Sequence, residues 1–462
     1  MSGADDYKGY REPALSVLKR FQVRVWSDVT VASSRGKFTG IILPRSETAD
    51  PDHVVLKLRS GYNVGLRHNT ITAMREDSYK EFHYRVPEKQ FPFDPGKPRV
   101  KLFGTGGTIA SRLDYRTGAV IPAFSPGELY GSVPELADIC NLDTEKLYSV
   151  FSENMGPEQW IGTAQAIGAE IAKGVNGIVI GHGTDVMHHT AAALSFMVQH
   201  SPVPIVMVGS QRSSDRPSSD AALNLIHATT TAAASDIAEV MVCMFGPTSD
   251  QYGLLHRGTR VRKMHSSYRS TFRTLSDIPL AMVDRKKITP LKTEYQRRRS
   301  DRKVDIDAVF DDRVALLYYY PNMKPDVIDA LVDNGYRGIV IAGTGLGHVN
   351  KPTYPAFRRA CDQGVTVCMT VQTLWGFAQM YVYETGRELM GLGIFPLDNM
   401  LPEVAYIKLG WALAHSQDPA EVRRIMTTPI AGEITEREPH NGYLILQGGI
   451  PEVEEFIRSF KK

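Results

Sequence analysis

The sequence predicts an α/β protein of two domains with parallel sheets, preceded by a small β-barrel of the SH3-like or Sm-like kind. Three observations carry this prediction. Short strand-like runs crowd the first part of the chain. A proline-rich spacer follows them. Beyond it, apolar strands alternate with Ala- and Leu-rich helical stretches. The 462 residues suffice for several cores, since domains run to roughly 100–200 residues each. Lys plus Arg number 53 against 51 for Asp plus Glu, a net charge of +2 with 23% of residues charged. That balance excludes a polybasic, histone-like chain and an acidic disordered one.

In the barrel region, Phe21–Trp26 alternates apolar with polar and reads as a half-buried strand. Further runs are Lys37–Leu43, His53–Leu58 and Asn63–Leu66, separated by Ser33-Ser34, Pro44-Arg45-Ser46 and Ser60–Asn63. Four prolines between Pro87 and Pro98 predict a stiff, extended linker. From residue 99, strands at Val100–Phe103, Gly177–Ile180, Ile205–Val208 and Met241–Phe245 alternate with helices at Glu158–Ala172, Thr190–Gln199 and Ser219–Ser235. Such alternation means a parallel sheet covered on both faces. Residues 284–311 are charged and poor in apolar content, and read as an interdomain connection. A second run then places strands at Val314–Tyr319, Gly338–Ala342 and Val365–Thr370, with helices from about Lys324 to Asn334 and Pro352 to Gln363. The expected domains are 1–90, 99–285 and 310–440, with a tail at 441–462.

The four cysteines form no CxxC, which argues against a zinc ribbon or disulfide scaffold. The polar start and the want of any run of about 18 apolar residues lead to the expectation of a cytoplasmic protein with no membrane association.

Three segments can carry chemistry. In Phe103–Ala110 a strand runs into glycines with two threonines at its carboxyl end, where open α/β sheets bind ligands. The Walker lysine is absent, and Ile109 stands where GxGxxG needs glycine, so this turn is either structural or a ligand cradle. In Ile180–Met187, Thr184 and Asp185 open the next helix, as an ordinary N-cap would or as reactive groups. In Arg257–Ser267, Lys263 sits among basic residues. It is either a solvated turn residue or an amine whose pKa is depressed by like charge and burial. His188 and His189 are adjacent on a helix and expected on different faces, whereas a helical metal pair needs i, i+4 spacing.

Together, Thr105–Ala110, Gly181–Met187 and the segment ending at Lys263 resemble the L-asparaginase/glutaminase family of amidohydrolases. The spacings, 184 − 108 = 76 and 263 − 184 = 79, suit that family, and Ser152–Met155 is similar to its substrate-binding loop. The resemblance implies two asparaginase-like α/β domains. It matches Thr108 to the nucleophile and Thr184, Asp185 and Lys263 to the second catalytic set. Ser152 and Glu153 match the pair that clasps the substrate's α-carboxylate and α-amino groups, and Gly183 joins them. Tyr115 is the counterpart of the flexible-loop tyrosine, nearer the motif than in the family, and Glu153 stands where glutamine is usual. No metal and no cofactor are implied on this chain.

The barrel and the segments Phe38–Arg45, His53–Leu58, Ser60–Gly65, Gly181–Met197 and Ile430–Glu438 are similar to the asparaginase-like members of archaeal glutamyl-tRNA(Gln) amidotransferases. That resemblance implies a glutaminase that releases ammonia from glutamine or asparagine. Its partner would be the kinase/amidotransferase member of the same complex, which uses ATP and Mg²⁺ to activate Glu-tRNA(Gln) and capture the ammonia. A homodimer within a heterotetramer is implied too. The basic run Gln296–Lys303 reads as a solvated linker or a phosphate contact. Two alternatives stand beside this reading: a stand-alone cytoplasmic L-asparaginase, and a non-catalytic scaffold of the same fold.

Overall fold

A computed structural model describes residues 6–46, 49–60, 63–79, 93–106, 111–113, 120–122, 133–212, 218–285, 287–439 and 442. The chain divides into two compact units.

The first unit holds helix α1 (Ala14–Arg20) and strands β1 (Ser27–Ser33), β2 (Gly36–Ile42), β3 (His53–Leu58), β4 (Asn63–Arg67) and β5 (Ile71–Tyr79). They form one antiparallel sheet in the order β4-β3-β2-β1-β5. The β1–β5 register shifts at Asp28/Val29 and Ala32/Ser33, and such bulges bend a strand and tighten its twist. Leu18, Val29, Val31, Ile42, Val54, Leu56 and Leu66 fill its core. Phe21–Trp26 is not a strand. Val23 and Val25 are buried as the alternation implies, but Gln22 (φ 54°) and Trp26 (φ 75°) adopt left-handed backbone. The segment's amides therefore go elsewhere, Val23 N–H to the Leu18 carbonyl and Val25 N–H to that of Asp6. Side-chain alternation recorded burial in a turn, not a ladder.

A ribbon of β7 (Ser111–Leu113) and β8 (Val120–Pro122) groups with the first unit, apart from Pro122. The second unit runs β6 (Arg99–Gly104), α2 (Leu136–Ile139), β9 (Asn141–Lys146), α3 (Pro157–Ala172), β10 (Gly177–Gly181), α4 (Met187–Met197), β11 (Val198–Gln199), β12 (Ile205–Val208), α5 (Ala221–Ala234) and β13 (Val240–Phe245). It continues through β14 (Gly253–Arg257), β15 (Val261–Lys263), β16 (Phe272–Thr274), β17 (Ala281–Asp284), β18 (Lys287–Pro290) and β19 (Asp305–Ile306). The main sheet has eight strands in the order β18-β17-β14-β13-β12-β10-β6-β9. From β9 to β13 the pairings are parallel; from β14 outward they are antiparallel. Strands β10, β12 and β13 are buried at every position, because helices cover both faces of the sheet.

A second lobe carries β20 (Val314–Tyr318), α6 (Asp326–Asp333), β21 (Gly338–Gly343), α7 (Tyr354–Asp362), β22 (Thr366–Val371), α8 (Glu384–Gly391), β23 (Phe395–Pro396), α9 (Pro402–His415) and α10 (Pro419–Thr427). Its four strands are parallel in sequence order. One apolar cluster runs through both lobes, and Phe196 of α4 stacks on Trp411 of α9 with centroids 5.9 Å apart. The charged stretch between the lobes is not a solvated linker. Lys287–Pro290 forms an edge strand of the main sheet. The Gln296 side-chain amide donates to the carbonyls of Ser201 and Ala238, and Arg298 donates to those of Ala232 and Ser235. Charge composition concealed this, because the long side chains lie along the body and satisfy main-chain carbonyls there.

Candidate active site

Parallel strands β9, β6, β10 and β12 lie side by side, so the segments leaving their carboxyl ends converge. After β6, Thr105 is buried, and its amide and its hydroxyl both donate to the Gly181 carbonyl, at 3.0 and 2.9 Å. Gly106 follows with φ 115°, and a Cβ there would lie 2.3 Å from the Val150 carbonyl oxygen. Only glycine permits this approach of the loop that leads to Ser152. Ser152 is buried and Glu153 exposed, both on a single turn spanning Ser152–Asn154. Thr108 and Tyr115 lie outside the described residues.

After β10 the chain passes through His182 and Gly183 to Thr184, which is buried. The cap of α4 is Val186, with no side-chain cap bond, so neither Thr184 nor Asp185 is an N-cap. Instead, the Lys263 ammonium donates to Thr184 Oγ1 at 2.9 Å and to Asp185 Oδ1 at 2.7 Å. The lysine side chain is 9% exposed and that of Asp185 68%. The ammonium is thus nearly covered, while its carboxylate partner is open to solvent. Lys263 ends β15, a three-residue strand paired only with β16 among the described residues.

The like charge expected around Lys263 is turned away from it. Arg257 makes a two-pronged pair with Glu239, Arg260 is directed at main-chain and amide oxygens of the second lobe, and Arg262 faces Glu403. Each guanidinium has its own acceptors, so Arg257–Lys263 is not a cluster of unpaired cations, whereas Met264–Ser267 is an exposed turn.

His182 holds the loop. Its Nδ1 faces the Gly183 carbonyl at 2.7 Å and its Nε2 faces Thr190 Oγ1 at 3.0 Å; that hydroxyl also accepts from Trp160 Nε1 at 3.1 Å. Trp160 can only donate and the Gly183 carbonyl can only accept. The proton of His182 therefore sits on Nδ1. Burial pushes its pKa down to about 4, so the ring is neutral and structural. His188 and His189 do not diverge as expected: their ring centroids are 4.4 Å apart. Successive residues on a helix start about 100° apart, but both side chains bend into the same buried space. Among the described residues, no group of three or more His, Cys, Asp or Glu is placed to hold a metal ion.

Sequence reasoning missed Gly209, just past β12. A Cβ there would lie 2.9 Å from Thr184 Cγ2, 2.8 Å from the His182 carbonyl oxygen and 2.7 Å from Met187 Cε. Its position at the carboxyl end of a central strand was the available signal.

Comparison with known proteins agrees with this architecture. The family described as Asparaginase, N-terminal, matches residues 99–296; the Glutaminase/Asparaginase C-terminal domain matches 313–426; and the GatD N-terminal domain matches 23–74. The D subunit of the glutamyl-tRNA(Gln) amidotransferase of Pyrococcus furiosus is 49% identical over 414 residues, covering 88% of this chain and 93% of that protein. The protein of the same name from Methanopyrus kandleri is 47% identical, covering 93% and 95%. Among solved structures, the thermostable L-asparaginase from Thermococcus kodakarensis superposes with a TM-score of 0.65 at 30% identity, covering 73% of this chain and 99% of its own. A probable cytoplasmic L-asparaginase from Campylobacter jejuni gives 0.61 at 26% identity, covering 72% and 100%.

Proposed function

The chain belongs to the GatD family, the D subunits of glutamyl-tRNA(Gln) amidotransferases, whose body is of the asparaginase type, and from that membership we propose that it hydrolyses the side-chain amide of glutamine or asparagine to supply ammonia for converting Glu-tRNA(Gln) to Gln-tRNA(Gln). The observation that supports this best is the Lys263–Thr184 contact beside Asp185.

An amide carbon is a poor electrophile and a threonine hydroxyl a weak nucleophile until its proton is taken. In this reading the Thr108 hydroxyl adds to the amide carbon, and its proton passes to the nitrogen, which leaves as ammonia. Backbone N–H groups of the glycine-rich turns hold the oxyanion. A water molecule then attacks the resulting ester, restoring the hydroxyl and freeing the carboxylic acid. Lys263 has a defined part in these transfers. Because Thr184 Oγ1 accepts from the ammonium, its own hydrogen is directed toward whatever fills the open side. Protons can therefore move between substrate or water and the amine through one hydroxyl. Ser152 and Glu153 hold the substrate's α-carboxylate and α-amino groups, Gly183 lines the site, and Tyr115 belongs to its covering loop.

Ammonia in bulk water near neutrality is mostly ammonium, which is no nucleophile. Transfer within one complex to a kinase/amidotransferase partner, the complex's E subunit, keeps it neutral; that partner uses ATP and Mg²⁺ to activate the tRNA-borne glutamate. The test is glutamine and asparagine hydrolysis by the full chain, alone and with partner, ATP, Mg²⁺ and Glu-tRNA(Gln), for wild type and Thr184→Ala. The expected result is slow hydrolysis alone, a rise on adding the others, and loss of both in the variant. Equal and fast asparagine turnover with or without them would replace this reading with a stand-alone asparaginase. Absence of hydrolysis throughout would leave a scaffold.

A further inference from the structure

Lys263 sits on a strand of three residues, too short to hold its own direction. Its neighbours on the opposite face supply that hold. Arg260 is the largest fully buried side chain among the described residues. Its Nη1 donates to the Asn399 carbonyl at 2.8 Å, its Nη2 to Asn399 Oδ1 at 3.0 Å and to Thr435 Oγ1 at 3.4 Å, and its Nε to the Gly432 carbonyl at 3.0 Å. Thr259, one residue earlier, donates to the Ala431 carbonyl at 2.8 Å. The bonds thus converge on Asn399 and on residues 431–435, a strap that Asn399 also holds through Thr435.

The strap is itself fixed. Glu433 is fully buried and accepts from the amides of Ile430 and Ala431, at 3.0 and 2.7 Å, and from the Lys408 ammonium. Lys408, also fully buried, donates in addition to the carbonyls of Met426 and Thr428. Thr435 closes the set, its amide donating to Asn399 Oδ1 at 3.1 Å and its hydroxyl accepting from Asn399 Nδ2 at 2.7 Å. Arg260 is fully buried without a carboxylate in ion-pair distance among the described residues. A cation so placed is costly unless its geometry is used. The planar fork is what a lysine at this position cannot reproduce.

We propose that Arg260 is a positioning residue: through the strap at 431–435 it sets the direction of β15 and so the reach of the Lys263 amine to Thr184 and Asp185. The inference rests on the reading of Lys263 as the proton-handling group, but its first test does not. In the full chain, Arg260→Lys keeps the charge and removes the fork. Competitive acetylation followed by mass spectrometry reads the accessibility of each lysine amine. The expected result is faster labelling of Lys263 in the variant, by about threefold or more, with Lys57, Lys146 and Lys351 unchanged. The second test is amide hydrolysis: kcat falls by about tenfold to a hundredfold with KM within about threefold, as for a displaced group that does not bind substrate. If wild type hydrolyses no amide, the proposed function fails while the labelling result still judges Arg260.

Should Arg260→Lys not fold, Thr435→Val, which removes only the hydroxyl shared by Arg260 and Asn399, enters the same two assays with the same direction expected. Unchanged Lys263 labelling in a folded variant overturns the proposal. So does a parallel rise at all lysines with a lowered melting temperature, because that marks general loosening.

Discussion

Lys263 Nζ lies 2.9 Å from Thr184 Oγ1, although 79 residues separate them in the chain. The contact joins the end of the isolated ribbon strand β15 to the loop after the central strand β10, and it gives the first prediction. Thr184→Val, which keeps the shape and removes the hydroxyl, lowers kcat for amide hydrolysis by about 10²–10⁴-fold. Lys263→Met does the same. Lys263→Arg does not restore activity, because a guanidinium stays protonated and cannot exchange a proton near neutral pH. Steady-state ammonia release checks all three.

Gly209→Ala tests the seat of Thr184. The new methyl meets Thr184 Cγ2, Met187 Cε and the His182 carbonyl below 3.0 Å. Overpacking of this kind costs about 1–3 kcal/mol, read by urea unfolding. The Thr184 side chain must move, so kcat falls more than the stability loss alone accounts for.

The buried Lys408–Glu433 pair predicts an asymmetry between single and double variants. Lys408→Met leaves a carboxylate unpaired in the core and costs about 3–5 kcal/mol. Adding Glu433→Gln removes that charge while its amide oxygen can still accept from Ile430 and Ala431. The double variant is therefore more stable than Lys408→Met, by the difference in unfolding midpoint.

Acid weakens the fold through its buried histidines. Burial holds His182 and His227 at about 4 and His256 at about 3, against 6.5 for the unperturbed ring. In the window between these values the unfolded chain binds protons that the folded chain refuses. The stability they allow is full above pH 6.5 and falls as pH drops toward the folded values, by roughly 2 kcal/mol per histidine at pH 5. Melting temperature against pH measures the slope. His227 has no hydrogen-bond partner at either ring nitrogen among the described residues, so His227→Met flattens the slope without loosening the fold at about pH 7.5.

Much of this was legible in the sequence for local reasons. The strands Ile205–Val208 and His53–Leu58 and the helix from residue 158 to 172 follow from apolar periodicity, because burial on one or both faces repeats with the backbone. Two of the three candidate segments fall at the carboxyl ends of β6 and β10, as strand-to-glycine transitions in a parallel sheet require. Where periodicity and hydrogen bonding diverged, it misled: Phe21–Trp26 alternates in burial, yet positive φ at Gln22 and Trp26 keeps it out of the sheet.

By itself the sequence determined the alternating strands and helices of the α/β body, their order and the family to which the chain belongs. Tertiary structure alone decided that Lys263 meets Thr184, that Gly209 must be bare, that the arginines beside the lysine find their own acceptors and that residues 431–435 brace Arg260. The reason is physical. Periodicity and turn chemistry act between covalent near-neighbours, whereas these contacts depend on strand order and on the packing of segments that no short window of sequence contains.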